Sequence, residues 1–365
     1  MNEVLRIIED PTLTYHQQLI SLAKYAENTD HTIKKSKALV KAMDEGIICD
    51  LNEGNAPFRP RYICPDYSIL MKKGCSFLQL DPPKDLYEAL NSLLIMYQHV
   101  PSITTFPVYL GDWDALLEPF VQKAGRTKAK KALRLFLLNI DRTLTDSFVH
   151  ADLGPKDTLT GRLVLELTEE MQLAIPNLTI KYDPKTTSRE FTELAVKCMM
   201  KTAKPSFANN AMFTEEWGKN YAIASCYNGL LIGGGGFTLP RLRMYECSLK
   251  AKNEKDFLDR VLPKYADLML KMMDDRIDFI VNKSNFFKSN FLVTEGFVKL
   301  DNFTGMFGMV GLAECVNHLL GITDPKKGYG NNKKADALGE KIMKKLSRLV
   351  AAHKSKYAAA CNHQY

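Results

Sequence analysis

No uninterrupted apolar run in this 365-residue sequence is long enough to cross a membrane as a helix, which argues against helical membrane spans. The opening stretch, MNEVLRIIEDPTLTYHQQ, carries acidic residues where a secretory signal would have an apolar core ending in small residues. Hydrophobic residues make up 45% of the chain and charged residues 25%, which is typical of a globular protein. We therefore expect a cytoplasmic protein with no membrane partner.

The cysteines form no CxxC or CxH pair, which argues against a structural zinc site. Eight cysteines in a chain of this length do not suggest a disulfide framework, and reduced thiols in a reducing compartment are the simplest expectation. They stand at Cys49, Cys64, Cys75, Cys198, Cys226, Cys247, Cys315 and Cys361.

Two pairs of residues could contribute to a metal site, and the first of them has no third ligand nearby in the sequence. His150 and Asp152 form an HxD pair, and Glu314 and His318 stand one helical turn apart. Structural contacts explain both pairs more simply. We expect no bound metal and no bound cofactor.

The formal charge of +7 is modest, and much of the excess lies in the C-terminal stretch of lysines. Apolar residues recur there at helical spacing, and no aromatic residues interleave with the charges as stacking platforms would. The pattern predicts an amphipathic helix with a solvated basic face, and no nucleic-acid partner. Its apolar positions are Leu338, Ile342, Leu346 and Leu349.

The order of the remaining patterns predicts an α/β fold with an α-helical N-terminal region. Helical spacing dominates residues 1–55, whereas runs of β character alternate with helices over residues 56–365. Predicted strands include RLVLELT, NLTIKYDP, YAIASCYNG and DFIVNKSNFF, and Pro263 is expected to divide two amphipathic helices. A parallel sheet or a barrel fits this alternation.

Four consecutive glycines, Gly233 to Gly236, first suggest a phosphate-binding loop. They do not match GxGxxG, because Thr238 and Leu239 stand where a third glycine is needed, and the lysine of GxxxxGK[ST] is absent. A glycine run also permits close approach of neighbouring backbone. We favour that explanation over a third possibility, a nucleotide-binding α/β protein.

Cys226 follows a run of β character and should therefore lie at a strand end or on the loop that leaves it, where reactive groups are common. A lone cysteine is more often a small buried hydrophobe. A conventional cysteine nucleophile needs a histidine, and His99, His150 and His318 are only loose candidates. Spacing alone leaves both interpretations open.

Several blocks in order resemble the YjjI-type glycine radical enzyme family, a branch of the pyruvate formate-lyase and anaerobic ribonucleotide reductase superfamily. They are VPSITTFPVYLG, KPSFAN, ASCYNGLLIGGGGFTLPRLR, SNFFKSNFLVTEGF and FTGMFGMVGLAECVNHLL, and the similarity runs from about residue 55 to the C-terminus. The resemblance implies a ten-stranded α/β barrel built from two antiparallel halves. A cysteine loop would enter its lumen.

By the same resemblance, Cys226 matches the hydrogen-abstracting cysteine of the family. Its thiyl radical would attack a small organic substrate under anaerobic conditions, after receiving the radical from a glycine activated by an S-adenosylmethionine-dependent enzyme. A homodimer is possible. Polar residues at predicted strand or loop ends are candidates for the substrate cavity: Ser206, Asn209, Asn228, Asn285, Glu295 and Glu314.

The sequence departs from the family pattern in two places. No arginine shortly precedes a Gly-Tyr pair in the manner of the glycyl-radical signature, and Gly328 with Tyr329 stands in a lysine-rich turn. We therefore expect the front portion of a longer or split enzyme that lacks the radical-bearing segment. The alternative is a catalytically inactive remnant that acts as a binding protein.

The second departure lies beside the cysteine. Tyr227 stands where the pyruvate formate-lyase branch has a second cysteine, and Asn228 stands where the dehydratase branch has a glutamate. Neither of those chemistries can be carried over to this chain.

Overall fold

The computed structural model describes residues 2–29, 33–51, 58–104, 107–144, 148–224 and 226–365. The helices of that part are α1 (Glu3–Ile8), α2 (Tyr15–Thr29), α3 (Lys37–Asp44), α4 (Tyr67–Lys73), α5 (Leu86–Tyr97), α6 (Trp113–Ala124), α7 (Arg126–Thr143), α8 (Leu159–Met171), α9 (Arg189–Thr202), α10 (Asn210–Trp217), α11 (Met244–Ser248), α12 (Glu254–Asp256), α13 (Leu262–Asp278), α14 (Phe286–Ser289), α15 (Phe291–Thr294), α16 (Leu312–Leu319) and α17 (Lys333–Ala352). The strands are β1 (Ile48–Cys49), β2 (Tyr62–Cys64), β3 (Tyr109–Asp112), β4 (His150–Leu153), β5 (Asn177–Tyr182), β6 (Ser206–Asn209), β7 (Tyr221–Ala224), β8 (Asn228–Leu231), β9 (Gly234–Gly236), β10 (Arg241–Arg243), β11 (Phe303–Thr304) and β12 (Gly308–Val310).

A parallel four-stranded sheet, in the order β3, β4, β5, β6, forms the centre of the fold. Helices α6 to α9 connect its strands, as parallel pairing requires. Because side chains alternate along a strand, one face of each strand can be apolar while the other carries polar side chains. Leu153 of β4 and Ile180 of β5 belong to the large apolar core. Their neighbours Asp152 and Lys181 therefore point to the opposite face.

The mixed α/β class is confirmed, whereas the ten-stranded barrel is not. Within the described residues the strands form four separate sheets, and none of these closes into a ring. The other three are β1–β10–β12, β11–β9–β2 and the antiparallel hairpin β7–β8. No helix in the described part of the chain is long and apolar enough to cross a membrane.

Three local predictions are wrong. RLVLELT lies in α8, where Leu163, Val164, Leu165 and Leu167 are all buried; a short apolar run cannot distinguish a buried helix from a strand. DFIVNK ends a helix with a π-helical turn, Phe279–Lys283. Pro263 does not divide two helices, because it stands in the first turn of α13 directly after another π-helical turn, Phe257–Val261. A proline is tolerated in a first turn.

A second apolar core joins the N-terminal region to the C-terminal helices. Ala42 of α3 and Ile47 pack in it with residues of α13, α16 and α17. The predicted amphipathic helix is confirmed as α17, whose Leu338, Ile342 and Leu346 are buried. The predicted division into residues 1–55 and 56–365 stays a prediction, since its boundary lies outside the described residues.

The glycine run forms β9, the central strand of its sheet, between β2 and β11. A Cβ atom on Gly234 would lie 2.0 Å from the carbonyl oxygen of Asn302, and one on Gly235 would lie 2.1 Å from that of Tyr62. The amide of Gly233 donates to the carbonyl of Cys64 at 2.8 Å. The prediction that these glycines permit close backbone approach is confirmed, and a phosphate cradle is not formed here.

We expect Gly234→Ala to lower the free energy of unfolding by about 3 kcal/mol or more, because the new methyl group meets rigid backbone. Gly311→Ala is the matched control. Gly311 has φ +82° but only ordinary contacts around its missing Cβ, so its replacement should cost only about 1 kcal/mol. Urea denaturation of both variants measures the difference, and equal losses would contradict the steric explanation.

Asp114 is a buried carboxyl group that ties α6 to the end of β4. Its Oδ2 accepts a hydrogen bond from the amide of Gly154 at 2.7 Å, and its Oδ1 accepts one from Ala115 at 2.9 Å. Burial raises the pKa of Asp114 to about 7; the two amide bonds oppose this shift and the charge of Asp112 adds to it. The folded protein therefore holds a proton that the unfolded chain releases at lower pH.

This shift predicts a pH dependence of stability. Because the folded pKa of about 7 lies above the ordinary value of 3.8, the Asp114 contribution to stability falls as pH rises through that window. At 1.4 kcal/mol per pKa unit, wild type should lose about 4 kcal/mol relative to Asp114→Asn between those pH values. Urea denaturation of both proteins across the window checks this, and a constant difference would refute it.

Candidate active site

Cys226 lies in the turn of the β7–β8 hairpin. Strand pairing runs from Tyr221 opposite Leu231 to Ala224 opposite Asn228, so Cys226 and Tyr227 stand at the tip. Cys226 is exposed, and Tyr227 adopts a positive φ of 67° that turns the chain back. The prediction that the cysteine leaves a strand end is confirmed in its geometry.

The hairpin packs against both the four-stranded sheet and α10. Tyr221 and Ile223 of β7 form a small apolar cluster with Ala208 of β6. In the same cluster, the ring of Phe213 of α10 stacks on Tyr221 at a centroid distance of 5.3 Å. A Cβ on Gly229 would approach Phe213 to 2.9 Å, so the helix packs directly on the backbone of β8.

A row of polar side chains crosses the face of the sheet beneath the tip. The Nε2 atom of His150 lies 2.6 Å from the hydroxyl of Thr179, which in turn lies 2.8 Å from that of Ser206. The ring of Tyr227 meets His150 edge-on at 5.3 Å. One row therefore connects Ser206, a sequence candidate, to the residue that follows Cys226.

A buried ion cluster lies farther along the same face. The Nζ atom of Lys181 lies 2.6 Å from Asp112 and 3.6 Å from Asp152. It also donates to the carbonyl oxygen of Tyr221 at 2.6 Å and lies 4.4 Å from the centre of that ring. Asp152 accepts a hydrogen bond from the amide of Ile223 at 2.8 Å. Both charged side chains thus bind the backbone of β7.

The charges of this cluster follow from its burial. Burial opposes the charged form of Lys181, but the carboxylates of Asp112 and Asp152 more than offset it and hold the pKa of Lys181 above its usual range. Burial raises the pKa of Asp152 well above its usual range, and Lys181 offsets this only in part. Lys181 is therefore protonated at neutral pH, with Asp112 as its closer counter-ion.

A cavity of about 580 Å³ lies beside β8. Asn228 and Gly229 form part of one wall together with Trp217, while Met306 and the C-terminal Tyr365 contribute to others. The hydroxyl of Tyr365 donates to Asp274 at 2.6 Å, which fixes the C-terminal residue against α13. Asn228, also a sequence candidate, is the hairpin's polar contribution to this cavity.

The structure does not gather the other four candidates around the hairpin tip. Asn209 caps α10 by accepting from the amide of Met212 at 3.2 Å, and Glu295 accepts from the amide of Ser76 at 2.8 Å. Asn285 and Glu314 are exposed, at the start of α14 and on α16. Their assignment to a substrate cavity stays a prediction.

The two residue pairs that could have contributed to a metal site make contacts with other protein side chains. Asp152 is part of the ion cluster, and His318 lies 2.9 Å from the hydroxyl of Ser248 through its Nδ1 atom. In the described part of the chain, no three His, Cys, Asp or Glu side chains are grouped so that they could hold a metal ion.

Sequence reasoning missed Lys181, Asp112 and Thr179. The one available signal is the alternation in NLTIKYDP, which places Thr179 and Lys181 on the same face of one strand. A lysine in such a pattern usually faces water. Nothing in the run indicates that the hairpin covers it.

The fold is similar to that of anaerobic ribonucleotide reductases. The crystal structure of the enzyme from Thermotoga maritima with citrate in the active site superimposes with a TM-score of 0.70 at 13% identity, covering 96% of this chain and 74% of that one. A second structure, described as anaerobic ribonucleotide reductase, gives 0.68 at 13% identity, covering 86% of this chain and 58% of that one. At this identity the likeness defines the fold alone.

Sequence comparison is more specific. Residues 13–365 match the family described as Glycyl radical enzyme YjjI-like. An uncharacterized protein of Haemophilus influenzae is 45% identical over 372 residues, which is 100% of this chain and 71% of that protein. The uncharacterized protein YjjI of Escherichia coli K12 is 38% identical over 353 residues, or 96% of this chain and 68% of that protein. The chain belongs to the YjjI-like glycyl radical enzyme family.

We expect Cys226 to be the first thiol alkylated by iodoacetamide in the native protein. It is exposed, whereas burial raises the pKa of the Cys64, Cys247 and Cys315 thiols and hides them from the reagent. Peptide mass spectrometry over time gives the order of labelling. Cys226→Ser should remove the fastest phase, and a fast phase that survives this change would contradict the exposure of the tip.

Proposed function

We propose that this chain is the barrel portion of a glycyl radical enzyme in which Cys226 carries the thiyl radical. Membership of the family supports the radical class. The observation that carries the assignment of the residue is that an exposed cysteine stands at the tip of a hairpin packed on a polar sheet face. The ten-stranded barrel implied by the family stays part of this proposal.

The reaction would be two hydrogen-atom transfers. A glycyl radical takes the hydrogen atom of the Cys226 thiol, which leaves a thiyl radical and an intact glycine. The thiyl radical then takes a hydrogen atom from a carbon of the substrate, so that the thiol is restored and a carbon radical forms. Atoms and electrons balance in each step. Neither step needs a thiolate, so no histidine has to act as a base for Cys226.

Substrate would lie where the hairpin meets its surroundings. Asn228 offers an amide to the cavity of about 580 Å³, a volume suited to a small organic molecule. Ser206 offers a hydroxyl at the end of the polar row. We propose these two as orienting residues. Asn209, Asn285, Glu295 and Glu314 remain weaker candidates for the same role.

The radical-bearing glycine would come from a segment outside these 365 residues, activated by an S-adenosylmethionine-dependent enzyme. Gly328, the one Gly-Tyr candidate, is buried directly against the side chain of Asn317. Its neighbour Tyr329 donates its amide to that same side chain at 2.9 Å. A homodimer remains part of the proposal.

The decisive experiment needs no substrate. The chain is expressed anaerobically with an activating enzyme and a glycine-bearing segment, and the glycyl radical is recorded by electron paramagnetic resonance in D₂O. The thiol hydrogen exchanges with solvent. Reversible transfer through Cys226 therefore replaces the glycine α-hydrogen by deuterium, and the hyperfine doublet should collapse.

Cys226→Ala should keep the doublet, because the exchangeable thiol is gone. Cys361→Ala is the matched control, since Cys361 is another incompletely buried thiol and lines the cavity. This control should behave as wild type. Collapse of the doublet in Cys226→Ala would overturn the assignment, and a chain that never supports a radical would favour the inactive alternative.

A further inference from the structure

We propose that Lys181 and Asp152 are positioning residues for Cys226 because they take the place of a neighbouring strand along the open edge of β7. The inference rests on the proposed function, because positioning Cys226 matters only if that thiol reacts. The experiment that tests it does not depend on the proposed function. The hydrogen bonds of both residues to the hairpin go to Tyr221 and Ile223. Each acts through the backbone of the strand that leads into the turn.

The hydrogen-bond pattern of the hairpin defines this open edge. In an antiparallel pair, alternate residues turn their backbone groups toward the partner strand and away from it. The amide of Ile232 donates to the carbonyl of Asn220 at 2.9 Å, so residues 220, 222 and 224 face β8. Tyr221 and Ile223 therefore face the other way. In the described part of the chain β7 pairs with β8 alone.

Both outward groups are satisfied by the ion cluster. The carbonyl of Tyr221 accepts from Lys181 at 2.6 Å, and the amide of Ile223 donates to Asp152 at 2.8 Å. An edge strand offers donors and acceptors alternately, so one side chain that donates and one that accepts fit it as a pair. Both side chains are buried, at 4% and 0% exposure, which makes these bonds hard for water to replace.

These two hydrogen bonds lie close in the chain to the sulfur atom of Cys226. Ile223, held by Asp152, stands three positions before Cys226, and the apolar contacts of Tyr221 and Ile223 resist displacement only through packing. The two side chains fix the height of the strand above the sheet. The thiol would then meet glycine and substrate in a set geometry without β7 joining the sheet.

A distance measurement tests this. Cys49→Ser and Cys361→Ser remove the other partly exposed thiols, and Glu190→Cys adds an exposed one on α9. Nitroxides on Cys226 and on residue 190 then report the height of the hairpin above the sheet by pulsed electron paramagnetic resonance. Because α9 packs on the opposite face of the sheet, Lys181→Met should shift the distance distribution to longer values and broaden it.

Lys204→Met is the matched control. The amine of Lys204 also binds backbone carbonyls, those of Leu173 at 2.7 Å and of Ala174 and Pro176 at 3.0 Å, but these lie before β5. Loss of any lysine amine that binds backbone carbonyls would affect both variants. We expect the control to keep the original distribution. An unchanged Lys181→Met distribution, or an equal change in the control, would overturn the proposal.

A second pair of variants decides the matter if Lys181→Met does not fold. Asp152→Asn keeps an oxygen that can accept from Ile223, and its amide group occupies the position of Oδ1, which has no hydrogen-bond partner among the residues that the structure describes. Asp152→Leu removes the acceptor. The asparagine variant should resemble the original and the leucine variant should show the longer, broader distances. Identical distributions for the two would refute the role of the acceptor.

These measurements involve no radical. If the distance distributions do not change, the role of Cys226 as radical carrier is still tested by the deuterium experiment. If the deuterium experiment fails, the distance distributions still test whether Lys181 and Asp152 hold β7.

Discussion

The open edge of β7 is the constraint around which the candidate site is arranged. A strand with one partner presents unsatisfied amide and carbonyl groups on its other side, and burying them without partners costs about as much as losing hydrogen bonds. In this chain Lys181 and Asp152 supply the partners. A donor and an acceptor side chain beneath the hairpin follow from that requirement, and Asp112 is the closer counter-ion of Lys181.

The hairpin is attached to the sheet by side chains, without strand pairing between β7 and the sheet. A third strand beside β7 would hold the hairpin through a full ladder and draw its tip into the sheet. Two side-chain contacts hold it at two atoms and leave the turn to project. Removing one partner of a buried ion pair typically costs about 3 to 5 kcal/mol, because the other charge is left uncompensated. A hydrogen bond to a charged group contributes about 1.5 to 3 kcal/mol, and this is the scale on which Lys181 holds the backbone of β7.

Much of the architecture could be predicted from the sequence, because its signals are local. The amphipathic pattern of α17, the helical start of the chain and the strand before Cys226 all depend on neighbouring residues. The wrong predictions concern segments whose secondary structure depends on tertiary packing. RLVLELT became a helix because its residues are covered on several sides, which a period of two or 3.6 in seven residues does not reveal.

The site itself could be predicted only in part, for a related reason. Sequence blocks single out Cys226 as a candidate, and Ser206 and Asn228 lie on features next to the hairpin. Asn209 and Glu295 have the same polar character and the same kind of position, yet they cap a helix and a loop. Lys181 shows the opposite case, since its pattern suggested a solvated lysine. The type of residue at a strand end indicates which contacts it can make. The element that packs over it decides which of those contacts it makes.

The two proposals are tested separately, but both concern the position of the Cys226 thiol. Hydrogen-atom transfer requires direct approach of sulfur to carbon, and catalytic efficiency falls steeply when reacting groups are misplaced by about 1 Å. A hairpin tip with an exposed thiol would not by itself hold such a position. Its neighbours β8 and α10 provide packing, the sheet provides two side-chain contacts, and a cavity lies beside Asn228. The thiol can therefore be exposed at the tip while the strand that carries it is fixed.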